Sequence, residues 1–317
     1  MKIYVTGGTG LVGSNLLRVA VERHRAEVFA TVHRWQPALS IDCEYGQVDV
    51  HDPDQVLQSV LAFRPDAIVH CAVVNDLPRI YGDRRLGWNS YVESTRHLIQ
   101  AANQIGARMI LLSSDWVFDG TQAPAGEVTP PNPINYYGVL KVVGETLLAA
   151  TGDNWAVARV AGVNGVQWAR PDLVLSQNAG LGNLALAVAG ALGQNRPFSL
   201  WQGDVNTRGN PTLATEIGEM IVRIIDRDQC GIFHCCGGES ATRLEVAMAT
   251  AQTFGLDASL IQPGPPDASD PASLTGIPVP RDTSLDAVST ARWLAYQPPD
   301  LAQSLDLLRR QLETGHI

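Results

Sequence analysis

This sequence of 317 residues contains few positively charged residues. It contains 23 Lys and Arg residues against 32 Asp and Glu, and its formal net charge at pH 7 is −9. Binding to nucleic acid or to an anionic membrane needs a basic surface that offsets phosphate charge. We therefore expect neither nucleic acid nor a membrane as a partner. A small nucleotide can still bind through backbone amides and a few local arginines.

Cysteines and long apolar runs are also scarce. The five cysteines include no C-x-x-C pair, which is typical of a reducing compartment. The longest apolar segment, around residues 184–192, is shorter than the roughly 18 to 20 residues that span a bilayer. No run that resembles a signal peptide follows Met1. We expect a cytoplasmic protein.

No residue pattern predicts a metal site. His70 and His234 each stand next to a cysteine in an apolar run, but adjacent side chains on a strand point to opposite faces. A shared metal ion is therefore not expected, and a buried, hydrogen-bonded histidine is the better interpretation of each.

The first half of the chain alternates short apolar runs with longer amphipathic stretches. The predicted strands cover residues 2–6, 27–32, 47–50, 67–71, 108–113 and 155–159, and the predicted helices cover 11–23, 53–63, 84–105 and 136–149. Apolar strands separated by helices indicate right-handed crossovers and a parallel sheet that helices cover on both faces. The pattern predicts an α/β fold with a Rossmann-type, doubly wound sheet and a smaller C-terminal α/β part.

A glycine-rich turn joins the first predicted strand to the first predicted helix. It reads TGGTGLVG, with glycines at Gly7, Gly10 and Gly13. Gly7 permits a tight turn, Gly10 lets the backbone approach a pyrophosphate, and Gly13 lets the helix pack close to the strand. In this strand-to-helix context the pattern predicts a dinucleotide-binding site.

The end of the second predicted strand bears on the choice of cofactor. It reads Thr31-Val32-His33-Arg34, where a site that prefers NAD often has an acidic residue. An arginine can pair with the 2′-phosphate of NADP instead. We expect NADPH, with NADH as the alternative cofactor; the other interpretation of Arg34 is an ordinary solvated side chain.

The predicted domain organisation rests on a change in the sequence pattern after about residue 160. There the regular alternation of strands and helices loosens, and Gly, Asn and Pro are scattered through the chain. Such segments on an α/β scaffold commonly form substrate loops. We expect an NAD(P)-binding Rossmann domain over residues 1–160 and a mainly substrate-binding part over 161–317. Residues 211–236 read as a helix and a strand that return to the first domain.

A serine, a tyrosine and a lysine form the candidate catalytic group. Tyr137 and Lys141 are four residues apart, which places both on one face of a helix. The lysine charge would lower the pKa of the phenol, and Tyr137 could then act as general acid or base at a carbonyl. Ser114 ends an apolar strand, and the carboxyl ends of such strands line the ligand crevice. A Y-x-x-x-K pair alone occurs by chance on surface helices.

These motifs resemble the extended short-chain dehydrogenase/reductases, and within them the dTDP-4-dehydrorhamnose reductase-like, sugar nucleotide-binding branch. The resemblance extends over nearly the whole chain. It rests on the segments TGGTGLVG, SSDWVFDG at 113–120, YYGVLK, RGNPT at 208–212, GIFHCCG and PRDTSLDA at 280–287. The second and last of these are specific to the branch.

The resemblance implies roles for individual residues. It makes Ser114, Tyr137 and Lys141 the catalytic triad, supported by Asn89, and it places Asp115, Trp116 and Arg208 with Ser114 at the substrate. It implies cofactor contacts for Gly10, Leu11, Val12, Asp49, Val50, Ala72 and Val73. With the glycine turn, the end of the second strand and the catalytic pair, the predicted cofactor site also includes Gly7, Thr9, Gly13, His33, Arg34, Cys71, Tyr137 and Lys141.

The reaction implied by the resemblance is NADPH-dependent reduction of a keto group, at C4 of a nucleotide-linked 4-keto-6-deoxysugar. The segment Arg159-Val160-Ala161-Gly162 lacks a tryptophan that contacts the sugar in relatives, so a ketoreductase or epimerase of another sugar or natural product is an alternative. A 4,6-dehydratase is disfavoured because Trp116 replaces an acid.

A role outside catalysis is the remaining alternative. The regulatory subunit of methionine adenosyltransferase is similar to this same branch, and a fold alone does not decide function. Relatives commonly dimerise, so the resemblance allows a homodimer.

Overall fold

The centre of the molecule is a sheet of parallel strands. The computed structural model describes residues 1–32, 41–171, 173, 176–227 and 230–317. In chain order the strands are β1 (Lys2–Thr6), β2 (Glu27–Val32), β3 (Glu44–Gln47), β4 (Ala67–His70), β5 (Arg108–Ser114), β6 (Trp155–Val160), β7 (Val163–Asn164), β8 (Phe198–Trp201), β9 (Arg208–Gly209), β10 (Thr212–Leu213), β11 (Gly231–Cys235), β12 (Ala241–Thr242) and β13 (Ile261–Gly264).

Seven of these strands form one sheet in the order β3-β2-β1-β4-β5-β6-β11, and every pairing in it is parallel. The chain first builds outward from β1 to β3 and then returns to the other side of β1 with β4. Ligands of open α/β sheets bind at such a reversal, outside the carboxyl ends of the strands. The predicted Rossmann-type, doubly wound fold is confirmed.

Helices cover both faces of the sheet. They are α1 (Leu11–Arg18), α2 (Pro53–Phe63), α3 (Leu77–Gly82), α4 (Arg84–Trp88), α5 (Ser94–Ile105), α6 (Tyr136–Thr151), α7 (Leu184–Leu192), α8 (Ala214–Asp226), α9 (Arg243–Phe254), α10 (Val288–Leu294) and α11 (Leu301–Thr314). A π-helical turn at Val19–Arg23 extends α1, and another at Asn89–Glu93 joins α4 to α5. None of the described helices is long and apolar enough to cross a membrane.

The sheet is buried on both faces because consecutive residues of its strands are apolar. In β1, Ile3 and Val5 belong to a core cluster that includes residues of α1 and α8. Tyr4, between them, belongs to a second cluster on the other face, with residues of α2 and α5. Continuous apolar strands of this kind are the pattern expected for a parallel sheet with helices on both sides.

One predicted strand is displaced along the chain. Residues 47–50 were expected to form it, whereas the observed β3 is Glu44–Gln47. The ladder ends there because the chain turns at Asp49, whose carbonyl accepts the amide of Asp52. The apolar residue Val48 is still buried, so its hydrophobicity reflects packing beyond the end of the strand.

A separate hydrophobic cluster forms the core of the C-terminal part. It joins residues of α7, α9 and α11 with residues of β8 and β13. Two segments of the same half lie elsewhere: β11 pairs with β6 at the edge of the main sheet, and α8 packs against α1. The chain therefore passes back and forth between the two cores.

Candidate active site

A cavity of about 650 Å³ opens at the carboxyl edge of the sheet, where β1, β4, β5 and β6 end. Many residues that the sequence singles out line it together. They are Gly7, Gly10, Leu11, Val12, Gly13, Cys71, Val73, Ser114, Asp115, Trp116, Tyr137 and Lys141. The glycine turn and the candidate catalytic group thus share one cavity.

The glycine turn is shaped by close contacts that exclude side chains. Gly7 has a φ of +72°, and a Cβ there would lie 2.8 Å from the backbone nitrogen of Ala72. A Cβ at Gly13 would lie 2.2 Å from the carbonyl oxygen of Gly7. The first turn of α1 carries no acidic residue, so the positive end of the helix dipole is available to an anion. This cradle fits the pyrophosphate of a dinucleotide.

A buried hydrogen-bonded chain holds the end of β4 beside this turn. The Thr6 hydroxyl accepts the amide hydrogen of Ala72 at 3.2 Å and lies 2.7 Å from His70 Nδ1. Ser94 donates to the Ser90 carbonyl, so its oxygen accepts from His70 Nε2 at 3.2 Å. Burial lowers the pKa of His70 to about 3, helped by the charges of Lys141 and His51. The imidazole is therefore neutral and structural.

Ser114 and Asp115 stand where β5 runs out into a short 3-10 turn. The Ser114 hydroxyl donates to Asp115 Oδ1 at 3.0 Å and accepts the amide hydrogen of Trp116 at 3.2 Å. Asp115 Oδ2 accepts a hydrogen bond of 2.6 Å from the Thr283 hydroxyl. Burial raises the pKa of Asp115 to about 6, although the hydrogen bonds from Thr283 and Ser114 work in the opposite direction.

Tyr137 lies in the first turn of α6. The helix begins after Asn135, whose side chain accepts the amide hydrogen of Gly138 at 2.8 Å and so caps the N-terminus. The phenol ring makes edge-to-face contacts with Trp116 and Tyr91, with centroids 5.9 and 5.8 Å away. These two rings fix the direction in which the hydroxyl enters the cavity.

Lys141 follows one turn later on the same helix. Its Nζ donates to the Leu112 carbonyl at 2.8 Å and lies 5.8 Å from the centroid of the Tyr137 ring. Burial lowers the pKa of Lys141 to about 8, against the opposing charges of Cys71 and Glu145. Lysine and tyrosine are thus brought together on one helix face.

The pKa of Tyr137 departs from the sequence-based expectation. The sequence predicts that Lys141 lowers this pKa, but burial raises it to about 12. The hydrogen bond with Ser114 lowers the pKa by a smaller amount, and the charge of Asp115 raises it further. The Nζ atom of Lys141 is directed at the Leu112 carbonyl, so desolvation dominates. The phenol is protonated at neutral pH.

A buried ion pair ties α6 to the two strands beneath it. Glu145, one turn beyond Lys141, accepts from Arg159 of β6 at 3.0 and 2.7 Å. It also accepts a hydrogen bond of 2.5 Å from the hydroxyl of Ser113 in β5. Since Ser113 precedes Ser114, this network fixes the separation between the serine strand and the helix that carries the tyrosine.

Two residues predicted to act in catalysis or substrate binding, Asn89 and Arg208, do not line the cavity. The Arg208 guanidinium is 3.3 Å from the Ser240 hydroxyl and 3.6 Å from the Glu245 carboxylate, and it does not line the cavity. Asn89 begins the π-helical turn before α5, whose Tyr91 contacts Tyr137. Neither side chain therefore touches the space that Ser114 and Tyr137 share.

Some of the predicted cofactor contacts do not line the cavity. Asp49 accepts from the amide and the ring nitrogen of His51, both at 3.0 Å, on an exposed turn. His33 and Arg34 lie outside the described residues. Three further predicted cofactor contacts do not line the cavity: Thr9, Val50 and Ala72.

The sequence reasoning missed most of the wall that the C-terminal half contributes. Residues 178–183 line the cavity, and so do Pro271, Ala272 and Leu274. The buried Arg243 holds the first of these in place, since its guanidinium donates to the Gly180 carbonyl at 2.7 Å and to the Asn178 carbonyl at 3.2 Å. The Gly and Asn content indicated loops here, but only tertiary contacts identify the ones that reach the site.

Within the described part of the chain, no group of three or more His, Cys, Asp or Glu side chains could hold a metal ion.

The doubly wound sheet, the glycine turn and the grouping of Ser114, Tyr137 and Lys141 define an extended short-chain dehydrogenase/reductase. The family model described as "RmlD substrate binding domain" matches residues 1–312, and the chain belongs to that family. The resemblance drawn from the sequence motifs is confirmed.

The relatives that are 25–28% identical to this chain include an enzyme subunit and a reductase. Methionine adenosyltransferase 2 subunit beta of Bos taurus is 28% identical over 289 residues, which cover 90% of this chain and 80% of the relative. A probable low-salt glycan biosynthesis reductase, Agl14 of Haloferax volcanii, is 25% identical over 310 residues, 97% of either chain.

A solved structure agrees with the fold over almost the full length. The dTDP-4-dehydrorhamnose reductase of Bacillus anthracis, in complex with NADP, superposes with a TM-score of 0.79 at 19% identity and covers 99% of this chain and 98% of its own. At this identity the likeness concerns the fold alone.

Proposed function

We propose that the protein is an NADPH-dependent reductase of a keto group, at C4 of a nucleotide-linked 4-keto-6-deoxysugar. The observation that carries the proposal is the convergence of Ser114, Tyr137 and Lys141 on one cavity with the glycine turn of residues 7–13. Membership of the RmlD substrate binding domain family and the similarity to a glycan biosynthesis reductase support a sugar-nucleotide substrate.

The residues present fit a nicotinamide dinucleotide. The turn from Gly7 to Gly13 and the start of α1 would hold the pyrophosphate, while Cys71 and Val73 would line its path toward the catalytic group. When bound, the cofactor supplies the hydride that reduces the carbonyl carbon. The Bacillus anthracis neighbour is a complex with NADP and a Thermus thermophilus neighbour is a complex with NAD, so the phosphorylated form is proposed from Arg34 of the sequence.

Each catalytic side chain has a distinct task in this proposal. Tyr137 donates its phenolic proton to the carbonyl oxygen, and its raised pKa keeps that proton in place at neutral pH. Lys141, whose ammonium group lies 5.8 Å from the centre of the Tyr137 ring, would hold the ribose of the cofactor. Ser114 hydrogen-bonds the carbonyl oxygen and orients it toward Tyr137. Trp116 and Tyr91 hold the phenol in line.

The test is a spectrophotometric assay of NADPH oxidation with a panel of nucleotide-linked 4-keto-6-deoxysugars, beside direct titrations of NADPH and NADH. We expect turnover with at least one sugar and tighter binding of NADPH. Cofactor binding without turnover on any sugar would contradict the substrate, and turnover with an unlinked ketone would move the proposal to another ketoreductase. Preference for NADH would contradict the cofactor assignment alone.

A regulatory role is the second candidate, and the similarity to methionine adenosyltransferase 2 subunit beta favours it. In that case the chain binds a catalytic methionine adenosyltransferase and changes its activity. Analytical ultracentrifugation of this protein with such an enzyme from the same source tests the idea. A stable complex together with no ketone turnover would favour regulation, whereas separate sedimentation would exclude it.

A further inference from the structure

The hydrogen bonds behind Asp115 have one consistent direction. The side-chain nitrogen of Asn206 lies 3.1 Å from the Arg208 carbonyl and 3.1 and 3.2 Å from the carbonyls of residues 280–281, so this atom is a donor. The same nitrogen lies 3.1 Å from the Thr283 hydroxyl, which therefore accepts from it. The Thr283 proton is left to be donated to Asp115 Oδ2 at 2.6 Å.

This direction determines where Asp115 can carry a proton. Because Oδ2 already accepts the hydroxyl of Thr283, a proton bound by the carboxyl group goes to Oδ1, which lies 3.0 Å from Ser114 Oγ. While Asp115 is ionised, Ser114 donates its only proton to Oδ1 and has none for a substrate. When Asp115 is protonated, the carboxyl group donates to Ser114, and the serine proton is released to the cavity.

We infer that Thr283 and Asn206 are positioning residues that hold the proton of Asp115 on Oδ1, and that protonation of Asp115 thereby makes Ser114 a hydrogen-bond donor to a substrate carbonyl. The inference rests on the proposed function, since it needs a carbonyl in the cavity. Thr283 and Asn206 are both almost fully buried, with exposed fractions of 1%, so solvent does not compete for their hydrogen bonds.

The other ionisable groups around Asp115 do not set its charge. Tyr137 faces it from α6 and Cys236 from the end of β11, and burial raises the pKa of each, so both are neutral at pH 7. The segment that follows Pro280 contributes the uncharged hydroxyl of Thr283. Two further side chains of the same cavity, Lys141 and Asp76, are directed at other groups. Lys141 donates to the Leu112 carbonyl, and Asp76 accepts the amide hydrogen of Arg79 at the start of α3. With the pKa of Asp115 near 6, the carboxyl group titrates close to physiological pH.

The first test replaces Asp115 with asparagine, an imitation of the protonated carboxyl group. Thr283 would hold the amide oxygen, which turns the amide nitrogen toward Ser114 as a permanent donor. We expect kcat/KM of Asp115→Asn for the keto substrate to exceed that of the wild type about tenfold at pH 7, since a group one unit above its pKa is about one-tenth protonated. The decline of the wild-type rate above about pH 6 should be absent. Asp115→Leu has no donor and should be slow at every pH.

Thr283 is tested in the background of that variant. Thr283→Val removes the donor that orients the amide, so the double variant should lose the gain of Asp115→Asn, whereas Thr283→Ser in the same background should keep it. Equal rates for the valine and serine double variants, or an Asp115→Asn profile that declines with pH like the wild type, would overturn the inference.

A measurement without turnover separates this inference from the reductase proposal. Carboxyl ¹³C NMR of the full chain follows the titration of Asp115 directly, with Asp115→Asn to assign the signal. We expect Thr283→Val to raise the pKa of Asp115 and Thr283→Ser to leave it near that of the wild type. An unchanged pKa in Thr283→Val overturns the inference. A shifted pKa in a protein that reduces no ketone overturns the reductase proposal, and with it the catalytic consequence, while the hydrogen-bond direction stands.

Discussion

The carboxylate of Glu145 and the guanidinium of Arg159 meet at two points, 3.0 and 2.7 Å apart, in the interior between α6 and β6. The side chains are exposed by only 6% and 1%. Such a pair binds the tyrosine-bearing helix to the strands that end at the active site. The distance between Ser114 and Tyr137 therefore depends on this ion pair.

We expect Glu145→Ala to destabilise the protein by about 3–5 kcal/mol, because a buried arginine would lose its counter-charge. Urea unfolding measures the change. Arg310→Ala is the matched control, since it breaks an ion pair with Asp306 on the surface, where solvent weakens the attraction. Similar losses for the two variants would contradict the structural role of the buried pair.

Tyr137→Phe should lower kcat about 100-fold or more, the contribution of a positioned general acid, while the affinity for NADPH stays nearly the same. Steady-state kinetics and a direct titration of NADPH measure the two effects. Tyr136→Phe is the control and should keep the turnover of the wild type, because the Tyr136 hydroxyl donates to the Arg84 carbonyl in α4. If turnover and cofactor affinity fell together in Tyr137→Phe, the role as proton donor would be wrong.

Gly13→Ala should weaken dinucleotide binding strongly, since the new Cβ would lie 2.2 Å from the Gly7 carbonyl and force the turn away from α1. Calorimetric titration of NADPH measures this loss of affinity. Gly190→Ala, inside α7, meets no atom within 4 Å and should leave binding unchanged. That control should also gain about 0.5–1 kcal/mol of stability, because glycine is a poor helix former. Normal affinity in Gly13→Ala would remove the glycine turn from the cofactor site.

His70 should contribute to loss of stability in acid. Its folded pKa of about 3 lies below the ordinary value of 6.5, so the unfolded chain binds the proton first and stability falls as the pH drops below about 6.5. At about pH 5.5 the expected loss is about 1.4 kcal/mol. Urea unfolding at two pH values, with wild type and His70→Gln compared, isolates this slope. The same slope in both proteins would contradict a buried neutral imidazole.

The sequence predicts those features that depend on local pattern. The order of strands and helices, the glycine turn and the Ser114, Tyr137 and Lys141 grouping follow from periodicity and from motifs within a few residues. β3 was placed three residues too late, because the burial of Val48 does not require a strand. The π-helical turn at Asn89–Glu93 was hidden inside what reads as one continuous helix.

Features that depend on distant contacts could not be predicted in this way. Thr283 reaches Asp115 across 168 residues of chain, and Arg243 reaches the loop of Gly180 across 63. Neither pairing leaves a periodic signal, since each depends on how the two cores are joined. The substrate contact of Arg208 stays a prediction: the motif implies it, and the guanidinium lies 3.3 Å from the Ser240 hydroxyl.

The position of β11 has a consequence for biosynthesis. The edge of β6 is covered only when Gly231–Cys235 pairs with it, so a ribosome must translate most of the chain before the sheet is complete. Until then the nascent polypeptide presents an unpaired apolar strand, the kind of edge that recruits other chains. Expression of the first 160 residues alone should therefore give aggregates, and folding in the cell should depend on chaperones that shield this edge during translation.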